Sequence, residues 1–318
     1  MRLCSIMDSL AHIDLWWFAV RLGTAFVIAT LLCRRALRKK SLSPSGARAA
    51  FAVALLSWSA SVRFGITLIV FYATSTKLTR VGEEQKRTLD AGFKKGGQRS
   101  AGQVLACSAI GTAIAVVFLV LCGNDAPVDY HADWTRSFLL CAYLGHYACC
   151  NADTWASELG MLDPGWPWLI TTGERVPPGT NGGVSTSGLI ASLLGGALIG
   201  VVFLVQDLVL LGYDGHDHTT GRGLHVLTLL QLHLVTLGAL SGLLGSVLDS
   251  LLGATVQATY YDTQRSVIVE PSAAGAGAPQ VKHVCGRDWL DNHQVNFVSV
   301  LLTTLIAGFA GKPLLSHM

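Results

Sequence analysis

Charged residues are scarce in this chain, since Asp, Glu, Lys and Arg make up only 14% of its 318 residues. Typical soluble domains carry about 25% charged residues. Hydrophobic residues make up 51%, and the mean hydropathy is +0.47. The shortage of charge excludes an ordinary soluble domain and predicts an all-α helix bundle that crosses a membrane several times.

The sequence also lacks a signal-peptide pattern, cysteine motifs and internal repeats, which further restricts the class of membrane protein. The N-terminal segment MRLCSIMDSLAHID has no apolar core before a small-residue cleavage site, so we expect no cleavable signal peptide and a first span that acts as its own signal. The eight cysteines show neither zinc-site spacing nor a disulfide framework. No internal repeat is visible, so we predict one membrane domain over residues 1–318, with a flexible low-complexity insertion at 270–279 (EPSAAGAGAP).

Long apolar runs are what the sequence has instead. Six of them reach the roughly 20 residues that a helix needs to cross about 30 Å of hydrocarbon. The predicted spans are 15–33, 100–122, 137–157, 188–211, 224–252 and 292–311. A further apolar segment, 47–73, is too long for one span and too short for two. It predicts a re-entrant or broken hairpin whose backbone is buried in protein.

The distribution of Lys and Arg predicts which connections share a side of the membrane. The segments 34–48, 77–99, 151–187 and 251–291 hold 17 of the 23 Lys and Arg residues. By the positive-inside rule this side faces the cytoplasm or stroma. The opposite connections, NDAPVDYHADWT and YDGHDHTTGRG, are acidic or rich in histidine.

Four polar segments fall on the predicted inner side, and the first is basic. In residues 76–103, glycines alternate with cations such as Lys77, Arg80 and Arg99, so backbone N–H groups and positive charges could hold an anion. Gly96-Gly97-Gln98-Arg99 precedes an apolar run, where the helix dipole favours a phosphate. The same charges also fit topology signals that face lipid headgroups.

The second segment is NADTWASELG, residues 151–160, which puts carboxylates where an apolar run ends. On a straight helix Asp153 and Glu158 fall on different faces, so they are expected to serve different partners. A lone carboxylate at a membrane boundary fits an interfacial charge. Two carboxylates beside Asn151 favour a buried polar site.

The third segment, RVPPGTNGGVSTSG, is rich in glycine and hydroxyl groups and precedes a span. Its glycines allow positive φ and close approach of a ligand to the backbone, as a polyphosphate requires. It lacks the Gly-Lys-Ser/Thr ending of a P-loop, and the pattern also fits a well-capped helix start. The candidate residues are Gly179, Thr180, Asn181, Gly182, Gly183 and Ser185.

The fourth segment lies in a stripe of small residues. Small side chains share one helix face from residue 238 to 253, and a matching stripe runs from 188 to 200, so these two helices are predicted to pack closely. Asp249 lies within the first stripe. A carboxylate in such a seam needs a cation, and Mg²⁺ or an arginine is the obvious candidate.

The combined inventory of carboxylates, glycine loop and basic segment leaves several functions open. Phosphoryl transfer depends mainly on positioning and charge stabilisation, so the inventory suffices for a kinase. It would also bind a nucleotide without reaction. An ion-coupled transporter or a lipid-binding protein without catalysis is the alternative, because broken hairpins, striped helices and intramembrane carboxylates also occur in carriers. A non-catalytic scaffold is a third interpretation.

Six motifs in order resemble the transmembrane protein 19 family. They are TK...R (76–80), GGQRSAGQVLA (96–106), NADTWASELG, RVPPGTNGGVS (175–185), GSVLDSLLGATVQ (245–257) and LDNHQVNFVS (290–299). The family is the eukaryotic branch of a group that includes the plant and cyanobacterial phytyl-phosphate kinases, and the resemblance runs from about residue 43 to 311. A more distant similarity links D-T-W-A-S-E-L-G and P-G-T to dolichol and phytol kinases, which also use CTP. Val-Pro-Pro replaces Lys-Ser-Glu of that pattern, so Arg175 would supply the nearby cation.

The resemblance implies a CTP-dependent prenyl-phosphate kinase that converts a prenyl monophosphate into its diphosphate. The metal ligands for one or two Mg²⁺ ions would be Asp153, Glu158 and Asp249. The catalytic residues would be these three together with Lys77 and Arg99. The nucleotide- and phosphate-binding residues would be Arg80, Arg175, Gly179, Thr180, Asn181, Gly182, Gly183 and Ser185. The isoprenoid tail would lie between the small-residue helices.

The expected partners follow from this activity. They are membrane lipid, a prenyl monophosphate and a nucleotide, and no nucleic acid is expected. The expected location is the endoplasmic reticulum or another endomembrane, or the plastid envelope if the host is photosynthetic.

Overall fold

The computed structural model describes residues 14–89, 97–214, 221–269 and 280–315, with side chains described for the same residues except 212–231. The predicted insertion at 270–279 and Gly96 lie outside these ranges. The helices are α1 (Leu15–Arg38), α2 (Pro44–Ala60), α3 (Val62–Thr79), α4 (Glu83–Leu89), α5 (Ala101–Ala106), α6 (Ala109–Cys122), α7 (Trp134–Gly160), α8 (Thr186–Asp214), α9 (Gly221–Val256) and α10 (Asn292–Leu315). The strands are β1 (Trp168–Leu169), β2 (Gly183–Val184), β3 (Thr259–Asp262), β4 (Val267–Val269) and β5 (Val281–Cys285).

The helical membrane bundle is confirmed. By length and hydropathy, four of the described helical segments can cross a membrane, at Leu15–Arg38, Thr186–Leu211, Leu232–Val256 and Asn292–Leu315. The predicted span at 100–122 is instead divided between α5 and α6, because Cys107 and Ser108 interrupt the helix. The predicted span at 137–157 lies within α7.

Helix α7 is the centre of the bundle. It packs against α3, α6, α8, α9 and α10, and its side chains are buried almost without interruption from Ser137 to Ala152. Asn151 joins α7 to two of these helices, α3 and α8. Its amide oxygen accepts hydrogen bonds from Thr74 (3.0 Å) and Ser75 (3.2 Å), and its amide nitrogen donates to the Gly195 carbonyl (2.8 Å). A polar residue in the middle of α7 is tolerated because protein groups satisfy it.

The predicted hairpin is present as two helices broken at one residue. Ser61 has extended backbone angles (φ −156°, ψ 139°), and its hydroxyl accepts a hydrogen bond from the Arg63 amide at the start of α3. At the other end, the Tyr72 hydroxyl lies 2.8 Å from the Ser41 hydroxyl, just before α2. The second half of α3 therefore lies beside the start of α2, as a hairpin requires.

A buried cluster of charges stabilises the turn of this hairpin. Arg63 Nη2 lies 2.5 Å from Asp207 Oδ1 of α8, and Arg63 Nε lies 3.3 Å from Asp125 Oδ1. Asp207 also accepts a hydrogen bond from the Val128 amide (3.0 Å). Arg63 and Asp207 are buried, and Asp125 is partly exposed. The cluster joins α3, α8 and the connection between α6 and α7.

The predicted seam of small residues is confirmed between α8 and α9. A Cβ atom placed on Gly242 would lie 2.7 Å from the Cα atom of Gly196, and one on Gly238 would lie 2.6 Å from the Gly196 carbonyl oxygen. The two backbones are therefore in direct contact, as small residues permit in membrane helices. The seam leaves no room for a hydrocarbon chain, so the prediction that the isoprenoid tail lies there is wrong.

A three-stranded antiparallel sheet, in the order β4-β3-β5, was not expected from the sequence. It follows α9 and packs beside the glycine-rich segment. The Asn181 amide donates to the Thr259 hydroxyl of β3 (3.2 Å), and the Cys285 thiol of β5 donates to the Asn181 carbonyl (3.3 Å). Burial raises the pKa of this thiol. The all-α prediction thus holds for the membrane core and misses a sheet that supports a loop.

Candidate functional site

The polar segments meet in a cavity at one end of the bundle. It encloses about 1530 Å³, including its open mouth. Its wall is formed by the start of α5, the last turns of α7, the loop 178–185, the end of α9 and the start of α10. Motifs that are far apart in the sequence therefore share one site.

Three carboxylates line this polar cavity, and two of them, Asp153 and Asp249, lie near each other. Asp153 of α7 and Asp249 of α9 are close enough to interact electrostatically, and Asp249 Oδ2 accepts a hydrogen bond from the Ser299 hydroxyl (3.1 Å). Among the residues that the structure describes, no three His, Cys, Asp or Glu side chains converge on a point that could hold a metal ion. The predicted three-carboxylate set is thus not brought together, and Asp153 and Asp249 remain as the pair.

Glu158 lines the cavity but has another partner. Its carboxylate forms a 2.7 Å ion pair with Lys86 Nζ. Five residues separate Asp153 from Glu158, which turns their side chains about 140° apart on a straight helix. The expectation that these two carboxylates serve different partners is therefore confirmed.

Lys86 is a residue that sequence reasoning missed. Its side chain is only 2% exposed, and besides Glu158 it donates to the carbonyl groups of Leu78 (3.1 Å) and Thr79 (3.4 Å) at the end of α3. A cation at this position complements the helix C-terminus. Lys86 and Glu158 also line an adjoining cavity of about 1940 Å³. No local pattern separates Lys86 from its neighbour Arg87, whose side chain is 71% exposed.

Arg99 lies in the wall of the polar cavity, as predicted. Its guanidinium donates to the hydroxyl groups of Thr76 (3.4 Å) and Thr79 (3.3 Å) on α3. Its backbone is also fixed, since its amide donates to the Ser41 carbonyl (3.1 Å) and its carbonyl accepts from the Ser43 amide (3.0 Å). Both ends of the residue are therefore held in place.

The other predicted cations do not line the described cavities. Lys77 is exposed on α3. Arg80 donates to the Lys39 carbonyl (3.1 Å) between α1 and α2. Arg175 lies over the Trp168 ring, 3.8 Å from its centroid, and its guanidinium donates to the Trp166 carbonyl. We therefore remove Lys77, Arg80 and Arg175 from the candidate site.

The glycine-rich loop forms one wall of the polar cavity, from Pro178 to Ser185. Gly179 and Gly182 have φ angles of +86° and +77°, so the predicted left-handed backbone is confirmed. A Cβ atom on Gly182 would lie 2.6 Å from the Ser250 carbonyl oxygen of α9. Glycine is thus required here both by conformation and by helix packing.

Several groups of the predicted phosphate cradle are used within the protein. The Gly183 amide donates to the Thr180 carbonyl (3.0 Å), and the Thr180 hydroxyl donates to the Pro177 carbonyl (2.6 Å). The Ser185 hydroxyl accepts from the Gly188 amide (3.1 Å) and so caps α8. These bonds make the loop rigid and reduce the number of donors it can offer to a ligand.

A hydrogen bond joins the end of α7 to the start of α8. The Ser187 hydroxyl donates to Asp163 Oδ2 (2.8 Å), and this bond lowers the pKa of the Asp163 carboxyl. Asp163 lies outside the polar cavity.

Helix α10 contributes two amides that sequence reasoning did not assign. Asn292 and Asn296 line the polar cavity with Asp249. The helix start is fixed by Asp291, whose carboxylate accepts from the amides of His293 (2.8 Å) and Gln294 (2.9 Å). The motif LDNHQVNFVS contains both asparagines. The sequence therefore marked this segment, but it gave no reason to assign a binding role to either residue.

Comparison with known proteins identifies the family. The profile described as integral membrane protein DUF92 matches residues 27–304. The chain belongs to the DUF92 family. This DUF92 chain is 42% identical to Protein PGR of Arabidopsis thaliana over 291 residues, which cover 91% of this chain and 96% of the relative. No solved structure matches it.

Two further relatives widen the family. An uncharacterized membrane protein of Synechocystis sp. is 25% identical over 79% of this DUF92 chain and 87% of the relative. Protein VTE6, chloroplastic, of Arabidopsis thaliana is 30% identical over 48% of this chain and 44% of the relative.

The DUF92 chain also has an apolar cavity that shares part of its wall with the polar one. It encloses about 960 Å³, including its open mouth, and is lined by α1, α2, α3 and α5. The walls of both cavities contain Arg99, Gln103, Cys107 and Thr154. An anionic head and a hydrocarbon tail of one molecule could therefore occupy adjoining spaces of matching polarity.

Proposed function

We propose that this chain transfers a phosphoryl group from CTP to a prenyl monophosphate and releases the prenyl diphosphate. The observation that carries the proposal is that Arg99 lines both the polar and the apolar cavity, which lie side by side. A prenyl monophosphate is an anion at the end of a hydrocarbon chain, so it matches two adjoining cavities of opposite polarity. The resemblance to plant and cyanobacterial phytyl-phosphate kinases supports the same reaction.

The donor nucleotide is proposed to bind between the glycine-rich loop and the two carboxylates. Mg²⁺ is bound by oxygen ligands, commonly one or two carboxylates together with substrate phosphates. Asp153 and Asp249, with the amide oxygens of Asn292 and Asn296, provide a donor set that fits it. When bound, the ion would neutralise negative charge on the nucleotide phosphates.

The acceptor phosphate is proposed to bind at Arg99, which Thr76 and Thr79 hold in position. An oxygen of that phosphate attacks the γ-phosphorus of CTP, a new P–O bond forms, and the bond from the γ-phosphorus to its bridging oxygen breaks to release CDP. The acceptor oxygen is already anionic at neutral pH, so no general base is needed. The protein contributes position and charge stabilisation.

The second candidate is a transporter or lipid-binding protein without catalysis. The adjoining cavities suit binding of the same amphiphile, and the described residues include no three-ligand metal centre. The buried Arg63, Asp125 and Asp207 cluster is the kind of intramembrane charge that carriers also contain.

The remaining assignments are also proposals. We place the chain in the transmembrane protein 19 branch of the DUF92 family. The proposed location is the endoplasmic reticulum or another endomembrane. For a photosynthetic host we propose the plastid envelope instead, since one relative has a chloroplastic protein name.

The test is transfer of labelled phosphate from CTP, with Mg²⁺, to phytyl, farnesyl or geranylgeranyl monophosphate by the purified full chain. We expect diphosphate product from the wild type and loss of product in Asp153→Asn and Asp249→Asn. Asp163→Asn is the matched control, because this carboxylate lies outside the cavity and an amide oxygen can still accept from Ser187. Absence of product with every acceptor, from protein that unfolds cooperatively, would favour the second candidate.

A further inference from the structure

We propose that the apolar cavity measures the length of the isoprenoid tail and that Trp58 is its floor. This inference rests on the proposed function for the identity of the ligand. It assigns to Trp58 the role of a specificity-determining residue, and it moves the tail from the seam between α8 and α9 to the space between α1 and α3. No motif in the sequence marks this residue.

The location follows from how the helices pack. Helices α1 and α3 both pack against α2, and residues of all three line the apolar cavity. The walls are alkyl and aromatic side chains, including Ala29, Leu32, Leu68 and Phe71. Among the described residues of the wall, Arg99 is the one that carries a charge, and it also lines the polar cavity. A ligand that fills this space therefore needs a long apolar chain and an anionic end.

Among the residues of α2 that line the cavity, Trp58 lies farthest along the helix from Gly46, which is beside Arg99. It belongs to α2, and its indole lies against Gly65 of α3, where a Cβ atom would overlap the ring. Its Nε1 donates to the Thr24 hydroxyl of α1 (3.2 Å). The indole thus bridges α1 and α3 across the cavity between them, in the same region as the break at Ser61.

The depth of the cavity can be estimated along α2. Arg99 lies beside Gly46, since a Cβ atom on Gly46 would overlap the Arg99 carbonyl. Twelve residues of helix separate Gly46 from Trp58, which corresponds to about 18 Å. An extended hydrocarbon chain advances about 1.25 Å per carbon, so this depth accommodates roughly three to four isoprene units. We expect acceptors of this length to be used best.

The test compares kcat/KM for prenyl monophosphates from geranyl to hexaprenyl. Trp58→Ala removes the floor, so we expect the ratio of long to short acceptors to rise at least about tenfold. Trp58→Phe keeps an aromatic ring in place and is expected to stay near the wild-type preference. Ala54→Phe adds a ring one turn, or about 6 Å, nearer to Arg99 and should shift the optimum about one isoprene unit shorter. Ala52→Phe is the control, because Ala52 is exposed on the same helix.

A second measurement separates this inference from the proposed reaction. A prenyl monophosphate with a photoreactive diazirine at the tail end is crosslinked to the full chain, and the labelled peptide is identified by mass spectrometry. We expect label on peptides that contain Trp58, Thr24 or Gly65, with or without turnover.

The outcomes distinguish the two ideas. Label at Trp58 without phosphoryl transfer from CTP would support the tail site and contradict the proposed kinase activity. Transfer with label on α8 or α9, or an unchanged length preference in both Trp58→Ala and Ala54→Phe, would overturn the tail site and leave the kinase intact. Neither label nor transfer would overturn both.

Discussion

The molecule holds two groups of carboxylates within the helix bundle, buried or half-buried, that differ in their partners. At the hairpin turn, Asp125 and Asp207 contact Arg63. At the opposite end of the bundle, Asp153 and Asp249 share the polar cavity, and no Lys or Arg in the described part of the chain lies at ion-pair distance from either. A buried charge is costly unless it is neutralised. The comparison assigns the first group to structure and the second to a ligand.

Breaking the pair at the hairpin turn has the largest expected effect on stability. Arg63→Met leaves the buried Asp207 without its cation, and removal of one partner from a buried ion pair costs about 3–5 kcal/mol. We expect a marked fall in the unfolding temperature of the purified protein, measured by circular dichroism in detergent. The double variant Arg63→Met/Asp207→Leu should recover part of this loss. Equal losses in the single and double variants would contradict the assigned role of the pair.

Neutralising the second group should reverse the pattern. Asp249→Asn is expected to lower phosphoryl transfer at least about 100-fold, because a group that stabilises transition-state charge is lost. The unfolding temperature should stay constant or rise, since a half-buried carboxylate without a cation opposes folding. Both quantities are measured on the same preparation, with Asp163→Asn as control. A loss of stability as large as that of Arg63→Met would break the comparison.

Glu158 tests an intermediate case, because it faces a cavity and still has a cation. Lys86→Met removes that cation together with its bonds to the end of α3. Hydrogen bonds to charged groups contribute about 1.5–3 kcal/mol, and we expect a loss in this range. The matched control is Arg87→Met, whose exposed side chain should make its effect close to zero. Equal effects of the two variants in thermal unfolding would count against the buried ion pair.

The smallest expected effect is a difference between two cations of the basic segment, Arg99 and Lys77. Arg99→Ala should raise the KM for the acceptor about tenfold, because a charge-assisted bond to the acceptor phosphate is lost. Lys77→Ala should leave this KM unchanged, since Lys77 is exposed outside the described cavities. The KM is measured by steady-state kinetics over a range of geranylgeranyl monophosphate concentrations. Similar KM values for the two variants would indicate that the whole basic segment serves only as a topology signal.

The features that follow from hydropathy and side-chain size could be predicted from the sequence. Apolar runs indicated the bundle, and the length of 47–73 indicated a hairpin that the structure breaks at Ser61. The positive φ angles of Gly179 and Gly182 also agree with the pattern. Each of these properties depends on local chemistry, which a single sequence contains.

The partners of charged residues could not be predicted in the same way. Lys86 and Arg87 are adjacent in one short helix, yet one is buried against Glu158 and the other is exposed. Lys77, Arg80 and Arg99 belong to one basic segment, and only Arg99 reaches the polar cavity. Which cation points inward depends on how α3, α4 and α7 pack, and this is set by contacts distant in sequence.

The prediction that the isoprenoid tail lies between the small-residue helices was wrong for a related reason. A stripe of small residues permits either a groove or direct contact between backbones, and the sequence pattern is the same for both. Between α8 and α9 the outcome is contact, whereas the open space lies among the alanines of α1 and α2.

The direct contact of α8 with α9 has an evolutionary consequence. Any side chain at Gly196, Gly238 or Gly242 would push the two backbones apart and displace Asp249 from Asp153. A bundle with this helix packing is thus confined to glycine at these positions. Alkyl side chains in the wall of the apolar cavity, such as Leu32 and Leu68, do not separate two helix backbones in this way, so their size can change more freely. If the proposed function holds, related proteins could therefore differ in the lipid they accept while the helix pair that carries Asp249 remains the same.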